Sequence, residues 1–279
     1  YDTADYFTVD RRLGTNQTLA DCIAALHDQG IRVILDGVFH HVGRDFWAFR
    51  DVLAHGAQSP YYPWFDSLDF NGRSPWNDPF TYAGWKGHFD LVKLNLNHAP
   101  VRQHLFQAVE SWIRDWHIDG LRLDAADCID KTFLRALADH CRSLDPAFWL
   151  MGEVVAGDYR DWMGENMLDS VTNYMCYKGL FSSHVDRNYF EIAYSLNRLF
   201  GKDGTCRDRL LYNFADNHDV DRVASRLTNP AHLYPLYCLL FTMPGIPSLY
   251  YGSEWGIAGQ RTKDSDTALR PAIDPATLS

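Results

Sequence analysis

Four short stretches concentrate side chains able to move protons or stabilise charge. They are Asp36 with His40 and His41, Arg122 with Asp124, Glu153, and Asn217 with His218 and Asp219. Paired carboxylates suit cleavage of a glycosidic bond. One protonates the leaving oxygen while the other attacks the anomeric carbon or activates water. A third negative group stabilises oxocarbenium charge. Arg122, two residues before Asp124, would keep that Asp ionised and oriented, as a nucleophile requires. Histidines hydrogen-bond sugar hydroxyls. A competing arrangement makes Asp36, His40, His41, His218 and Asp219 ligands to Zn²⁺ or Fe²⁺ in a barrel hydrolase. His40 and His41 are adjacent, and neighbours on an extended chain point to opposite faces, which weighs against that alternative.

The elements that must carry these groups follow from hydrophobic period and punctuation. Residues 16–30 read as a helix closing at Gly30, with Leu19, Ile23 and Leu26 on one face. The stripe Val101, Leu105, Val109, Trp112, Ile113 and Trp116 predicts a helix from Asn97 to His117, with Pro100 near its first turn. Further helices are expected at 130–143, 189–200 and 232–242. Strands are expected near 31–36, 121–125, 148–153, 169–174, 210–216 and 246–251. Strands and helices alternating at this spacing predict a parallel α/β sheet. In such folds the site lies at the carboxyl ends of the strands. Asp36, Asp124, Glu153 and Asp219 all fall there or just beyond.

Residues 44–95 break the pattern. They hold 13 aromatics in 52 residues, with Pro60, Pro63, Pro75 and Pro79 and no sustained period, so they read as an inserted subdomain. The other expected segments are 1–43 and 96–279, the start and the remainder of the main domain.

Composition narrows the classes. The 279 residues are 46% hydrophobic, enough for a large core. The formal charge of −10 argues against coating a nucleic acid, which needs clustered Lys and Arg. The six cysteines are scattered without a C-x-x-C pair, which reads as reduced thiols. Residues 233–251 carry no charge over 19 positions, but Pro235, Pro244, Gly245 and Pro247 divide them into a helix, a turn and a strand rather than a membrane span. A cytoplasmic location is the expectation.

At the polar stretches the sequence resembles the α-amylase family of retaining glycoside hydrolases and transglycosylases (family 13). DGVFHH (36–41) resembles its D-x-V-x-N-H, GLRLDAAD (120–127) its G-x-R-x-D, and GEV (152–154) and NHD (217–219) its remaining signatures, in order. YDTADYF (1–7) and WKGHFDLVKLN (85–95) match flanking regions, and LVKLN is similar to the M-P-K-L-N of the neopullulanase, cyclomaltodextrinase and maltogenic-amylase branch.

The resemblance implies a (β/α)8 TIM barrel with a B-type insertion at 44–95, acting on maltodextrins or related α-glucans. It implies Asp124 as nucleophile, Glu153 as general acid/base and Asp219 as transition-state stabiliser. Arg122, His41 and His218 match contacts to the nucleophile and sugar, Asp36 a supporting carboxylate, and Tyr1 an aromatic stacking under the sugar. It implies carboxyl groups of Asp124 and Glu153 about 5–5.5 Å apart, the retaining spacing. A transglycosylase or isomerase on the same substrates, or an inactive family relative, are the alternatives.

Two departures bear on chemistry. His40 stands where the family has an Asn that ligates calcium in some members, so no cofactor is expected. Asp124 is followed by Ala-Ala-Asp-Cys rather than by the Lys-His pair of many α-amylases. The resemblance also begins after the family's second barrel strand, so a barrel restricted to its third to eighth strands, part of a longer enzyme, is expected.

Overall fold

A computed structural model describes residues 2–164, 166–274 and 276. Tyr1, assigned to sugar stacking, lies outside the described residues. The chain divides into two compact units: residues 1–153 with 164–169, and residues 154–163 with 170–279.

The first unit opens with helix α1 (Asn16–His27). Its first turn is closed reciprocally: the Thr15 hydroxyl accepts from the Thr18 amide, and the Thr18 hydroxyl accepts from the Thr15 amide. Strand β1 (Ile34–Gly37) follows, then β2 (His41–Gly43) and α2 (Trp47–His55). Next come β3 (Gly84–Trp85), β4 (His88–Lys93) and α3 (Ala99–Ser111). Strand β5 (Gly120–Leu123), helix α4 (Lys131–Leu144) and strand β6 (Trp149–Gly152) complete it. β1, β5 and β6 run parallel, with Asp36 beside Arg122 and Arg122 beside Met151. Alternation sends Leu121 and Leu123 into a fully buried layer and leaves Arg122 on the opposite face.

Helices α3 and α4 cover this sheet with Leu105, Val109, Phe133, Leu134 and Leu137, all buried. The helix expected from Asn97 to His117 changes pitch: its last turn, Trp112–Trp116, is a wider π turn ending at His117 in the left-handed region. That widening accompanies a parallel stack of the Trp112 and Trp116 rings 6.1 Å apart. The Trp112 indole also donates to the Tyr6 carbonyl at 2.7 Å, anchoring the chain's first residues.

Residues 44–95 contain more order than their composition suggested. β2, β4 and β3 form an antiparallel sheet, and α2 packs Phe49 and Val52 into the core. Arg44 holds this region together. Its guanidinium donates to both Asp78 oxygens at 2.8 and 2.9 Å and to the Tyr82 hydroxyl, which donates to the Phe89 carbonyl at 2.7 Å. The Trp76 ring covers it at 5.1 Å. The pairs are long-range in sequence, so no local period announces them.

The second unit holds β7 (Ser170–Val171), α5 (Tyr174–Val185), α6 (Phe190–Phe200) and β8 (Tyr212–Asn213). It ends with α7 (Val223–Arg226), α8 (Leu233–Thr242) and β9 (Ile246–Pro247). β8 and β9 are parallel, and Thr172 bridges to Tyr212 in the same sense. The Asn173 side chain donates to Asn213 at 2.8 Å, and Asn213 donates to the Pro244 carbonyl at 2.8 Å, so buried amides continue where the ladder ends. The strands are shorter than expected at 169–174, 210–216 and 246–251. α5 was not expected at all: its buried positions include Gly179, Ser182, Ser183 and His184, so it has no apolar stripe. Among the described residues, no helix is long and apolar enough to cross a membrane.

Candidate active site

In the first unit the strand ends converge on one guanidinium. Asp36 is the third residue of β1, Asp124 follows β5 directly, and Glu153 follows β6 directly. Arg122 Nη1 donates to Asp36 Oδ1 and Oδ2 at 2.8 and 2.7 Å and to Asp124 Oδ1 at 2.8 Å. Nη2 donates to Glu153 Oε2 at 2.9 Å. The side chains of Arg122, Asp124 and Glu153 are 14%, 11% and 13% exposed, so this cluster is screened little by water, whereas Asp36 at 44% is open. Three carboxylates around it hold the Arg122 guanidinium well above its ordinary pKa against the opposing effect of its burial.

Backbone geometry completes the arrangement. The Asp124 amide donates to the Gly37 carbonyl at 3.2 Å and the Glu153 amide to Leu123 at 2.9 Å, extending the parallel ladder to both carboxylates. Ala125 then turns into the left-handed region at φ 46°, unusual for a residue with a side chain. That turn aims its amide at Glu153 Oε2, 3.2 Å away. Gly152, just before Glu153, admits no side chain, because a Cβ would fall 2.5 Å from Leu168 Cδ1 and 2.7 Å from Ala126 Cβ.

His40 and His41 are both buried, with their Nδ1 atoms 3.4 Å apart. His41 also meets the Trp85 ring at 5.9 Å. Burial, followed by the neighbouring His41 and Lys93, pushes His40 down to about 4. Folded His40 is therefore neutral where an unfolded histidine, with pKa about 6.5, takes up a proton. This contribution to stability is complete above pH ~6.5 and is lost as pH falls toward ~4, by roughly 3 kcal/mol at most. Melting temperature followed from pH 7 to 4.5 is expected to fall more steeply for the native protein than for His40→Asn. Parallel curves would remove His40 as the source.

In the second unit, His218 Nε2 lies 3.1 Å from Asp219 Oδ2. The Asp219 amide donates to Asn217 Oδ1 at 2.8 Å, and Asn217 Nδ2 donates to the Tyr174 hydroxyl at 3.2 Å. Sequence reasoning missed Arg270, whose guanidinium lies 3.6 Å from Asp219 Oδ1 and 2.9 Å from Asp266 Oδ2. It sits in a stretch with no regular period, and its only signal was an isolated Arg-Pro step. The same unit contains a cavity of about 460 Å³ lined by Val155, Tyr159, Tyr174, Met175 and Arg198. That is within the size range of small-molecule sites. Among the described residues, no three His, Cys, Asp or Glu side chains are grouped to hold a metal ion.

Residues 1–276 match the family model for the alpha-amylase catalytic domain. The chain belongs to the alpha-amylase family. It is 33% identical over 93% of its length to a cyclomaltodextrinase of Geobacillus thermopakistaniensis, covering 44% of that protein. It is 32% identical over 98% of its length to neopullulanase 2 of Thermoactinomyces vulgaris, covering 46%. The chain thus spans less than half the length of these relatives. Among solved structures, the debranching enzyme of Nostoc punctiforme superposes with a TM-score of 0.84 at 31% identity, over 95% of this chain and 58% of that one. The cyclic α-maltosyl-(1→6)-maltose hydrolase of Arthrobacter globiformis gives 0.83 at 30% identity, over 94% and 60%. These likenesses place this chain in the (β/α)8 barrel class. They agree with the branch suggested by LVKLN at 91–95.

Proposed function

We propose that this chain is the catalytic part of a retaining α-glycoside hydrolase acting on maltodextrins or related α-glucans. The observation that carries the reading is the single Arg122 guanidinium bound at once to Asp36, Asp124 and Glu153. Bridging two carboxylates from adjacent strand ends through one small cation keeps them close. That favours the spacing of about 5–5.5 Å used with an enzymic nucleophile over the wider gap that accommodates water. The names of the relatives, with cyclodextrins and pullulan in them, support α-glucans as substrates. We infer that the chain supplies the third to eighth strands of the barrel, with 44–95 as the inserted subdomain.

In the first half-reaction, an Asp124 oxygen attacks the anomeric carbon as the glycosidic bond breaks. Glu153 gives its proton to the departing oxygen. In the second, Glu153 takes a proton from water, whose oxygen attacks the same carbon and releases Asp124. Arg122 Nη1 holds one Asp124 oxygen at 2.8 Å before attack. Glu153 accepts from Nη2 through Oε2, so its other oxygen, Oε1, is the one able to carry the proton. Asp219, His218, His41 and Asp36 take the supporting roles carried over from the resemblance.

The residues around His40 do not suit calcium, so no step passes through it. Calcium prefers oxygen ligands. Here a neutral imidazole faces a second imidazole, and Lys93 places a cation nearby, paired with Asp66 at 2.8 Å.

Proton NMR of maltotriose hydrolysis, recorded faster than mutarotation, tests the mechanism. Retention delivers the α-anomer at the new reducing end first. Initial β-anomer would overturn the double displacement.

A further inference from the structure

Arg222 is the largest fully buried side chain among the described residues, at 0% exposure, and no step above uses it. Burying a guanidinium is costly, and an apolar residue of the same volume is often as stable or more so. Its Nη2 is buried without a hydrogen-bond partner among the described residues, and its other nitrogens are held by carbonyls. Nε donates to the Leu269 carbonyl at 3.2 Å, and Nη1 donates to the Tyr251 carbonyl at 2.6 Å. The Tyr250 and Tyr251 rings lie 4.4 and 4.9 Å from its central carbon. Gly252, at φ +83°, leaves the space beside Nη1, where a Cβ would approach to 3.3 Å.

Asp216 is the other half of this construction. It is 2% exposed, and its Oδ2 accepts from the Val223 amide at 2.9 Å and from the Ser253 hydroxyl at 2.7 Å. Ser253 Oγ is also 3.4 Å from Arg222 Nη1. Asp216 and Arg222 bracket the segment that carries Asn217, His218 and Asp219. One buried serine joins the two ends, and the Arg222 amide binds the Gly259 carbonyl at 2.9 Å. A buried Arg–Ser–Asp network closing both ends of one short loop points to a demand on the loop's geometry.

We propose that Arg222 is a positioning residue that, through Ser253 and Asp216, sets where Asp219 presents its carboxylate. The inference rests on reading Asp219 as the stabiliser of transition-state charge. A displacement near 1 Å in such a group costs on the order of 100-fold in rate.

The test is a double-mutant cycle on maltotriose with the intact protein, using Arg222→Met, Asp219→Asn and the double variant. Circular dichroism confirms folding of each. Arg222→Met is expected to lower kcat by about 100-fold while KM changes by less than about 3-fold. In the Asp219→Asn background the same change is expected to cost less than about 3-fold, because the group it positions is already gone. An equal loss in both backgrounds would mean a general structural role and overturn the proposal while leaving Asp219 catalytic. If Asp219→Asn alone leaves kcat unchanged, the reading of Asp219 fails and the proposal falls with it. Should Arg222→Met not fold, Ser253→Ala carries the same cycle, since it cuts the bridge and keeps both Arg222 and Asp216.

Discussion

Asp124→Asn is expected to lower kcat by about 10⁴- to 10⁶-fold, the range for removing a nucleophile whose site is otherwise intact. Asn keeps the size of the side chain and an oxygen for Arg122 Nη1, now 2.8 Å from Asp124 Oδ1, so the fold is expected to survive. What it loses is the ability to form a glycosyl ester. Glu153→Gln separates the second role. Its loss is expected to be about 10²- to 10⁴-fold on maltotriose, typical of a general acid. On a nitrophenyl α-maltoside, whose leaving group departs without protonation, the first half-reaction is expected to be nearly spared. Pre-steady-state release of nitrophenol measures this directly. An Asp124→Asn protein retaining a tenth of native activity would remove Asp124 as nucleophile. Equal losses on both substrates would remove Glu153 as acid.

Arg122→Met is expected to destabilise the fold by about 3–5 kcal/mol, the cost of deleting one partner from a buried charge cluster. Met fills much of the same volume, so the loss is electrostatic rather than a cavity. It leaves the largely buried Asp124 and Glu153 carboxylates, with Asp36 beside them, without their common cation. The sign with pH follows from the raised pKa of Arg122. A cation whose folded pKa is raised contributes fully at every pH below its unfolded value, so the deficit should persist across pH 6–9. Melting temperatures of native and variant protein across pH 6–9 measure it. A variant as stable as the native protein would remove the cluster as a source of stability.

Much of this site was legible before the fold was known, because it depends on local geometry. A strand repeats every two residues, so Arg122 and Asp124 had to share a face and Leu121 and Leu123 the other. The expected strands at 121–125 and 148–153 end where Asp124 and Glu153 emerge, and the helix at 130–143 is within a residue of Lys131–Leu144. There the Asp130 carboxylate caps the first turn by accepting from the Thr132 amide at 2.8 Å.

Other features lay beyond any local signal. α5 buries glycine, serines and a histidine against its neighbours, so its sequence carries no apolar stripe to read. The antiparallel sheet pairs His41 with Lys93 across more than fifty residues, and no period within 44–95 encodes such a partner.

The sequence by itself determined which residue types stand at which strand ends, and therefore the class of chemistry available. Periodicity and capping act over a few residues and are written in them. Only the tertiary structure decided that Asp36, Asp124 and Glu153 share one guanidinium, that Arg270 approaches Asp219, and that Arg222 is buried. Those outcomes depend on parallel register and on packing between segments far apart in the chain. Charge pairing in a water-poor interior depends on the distance and desolvation that such packing sets.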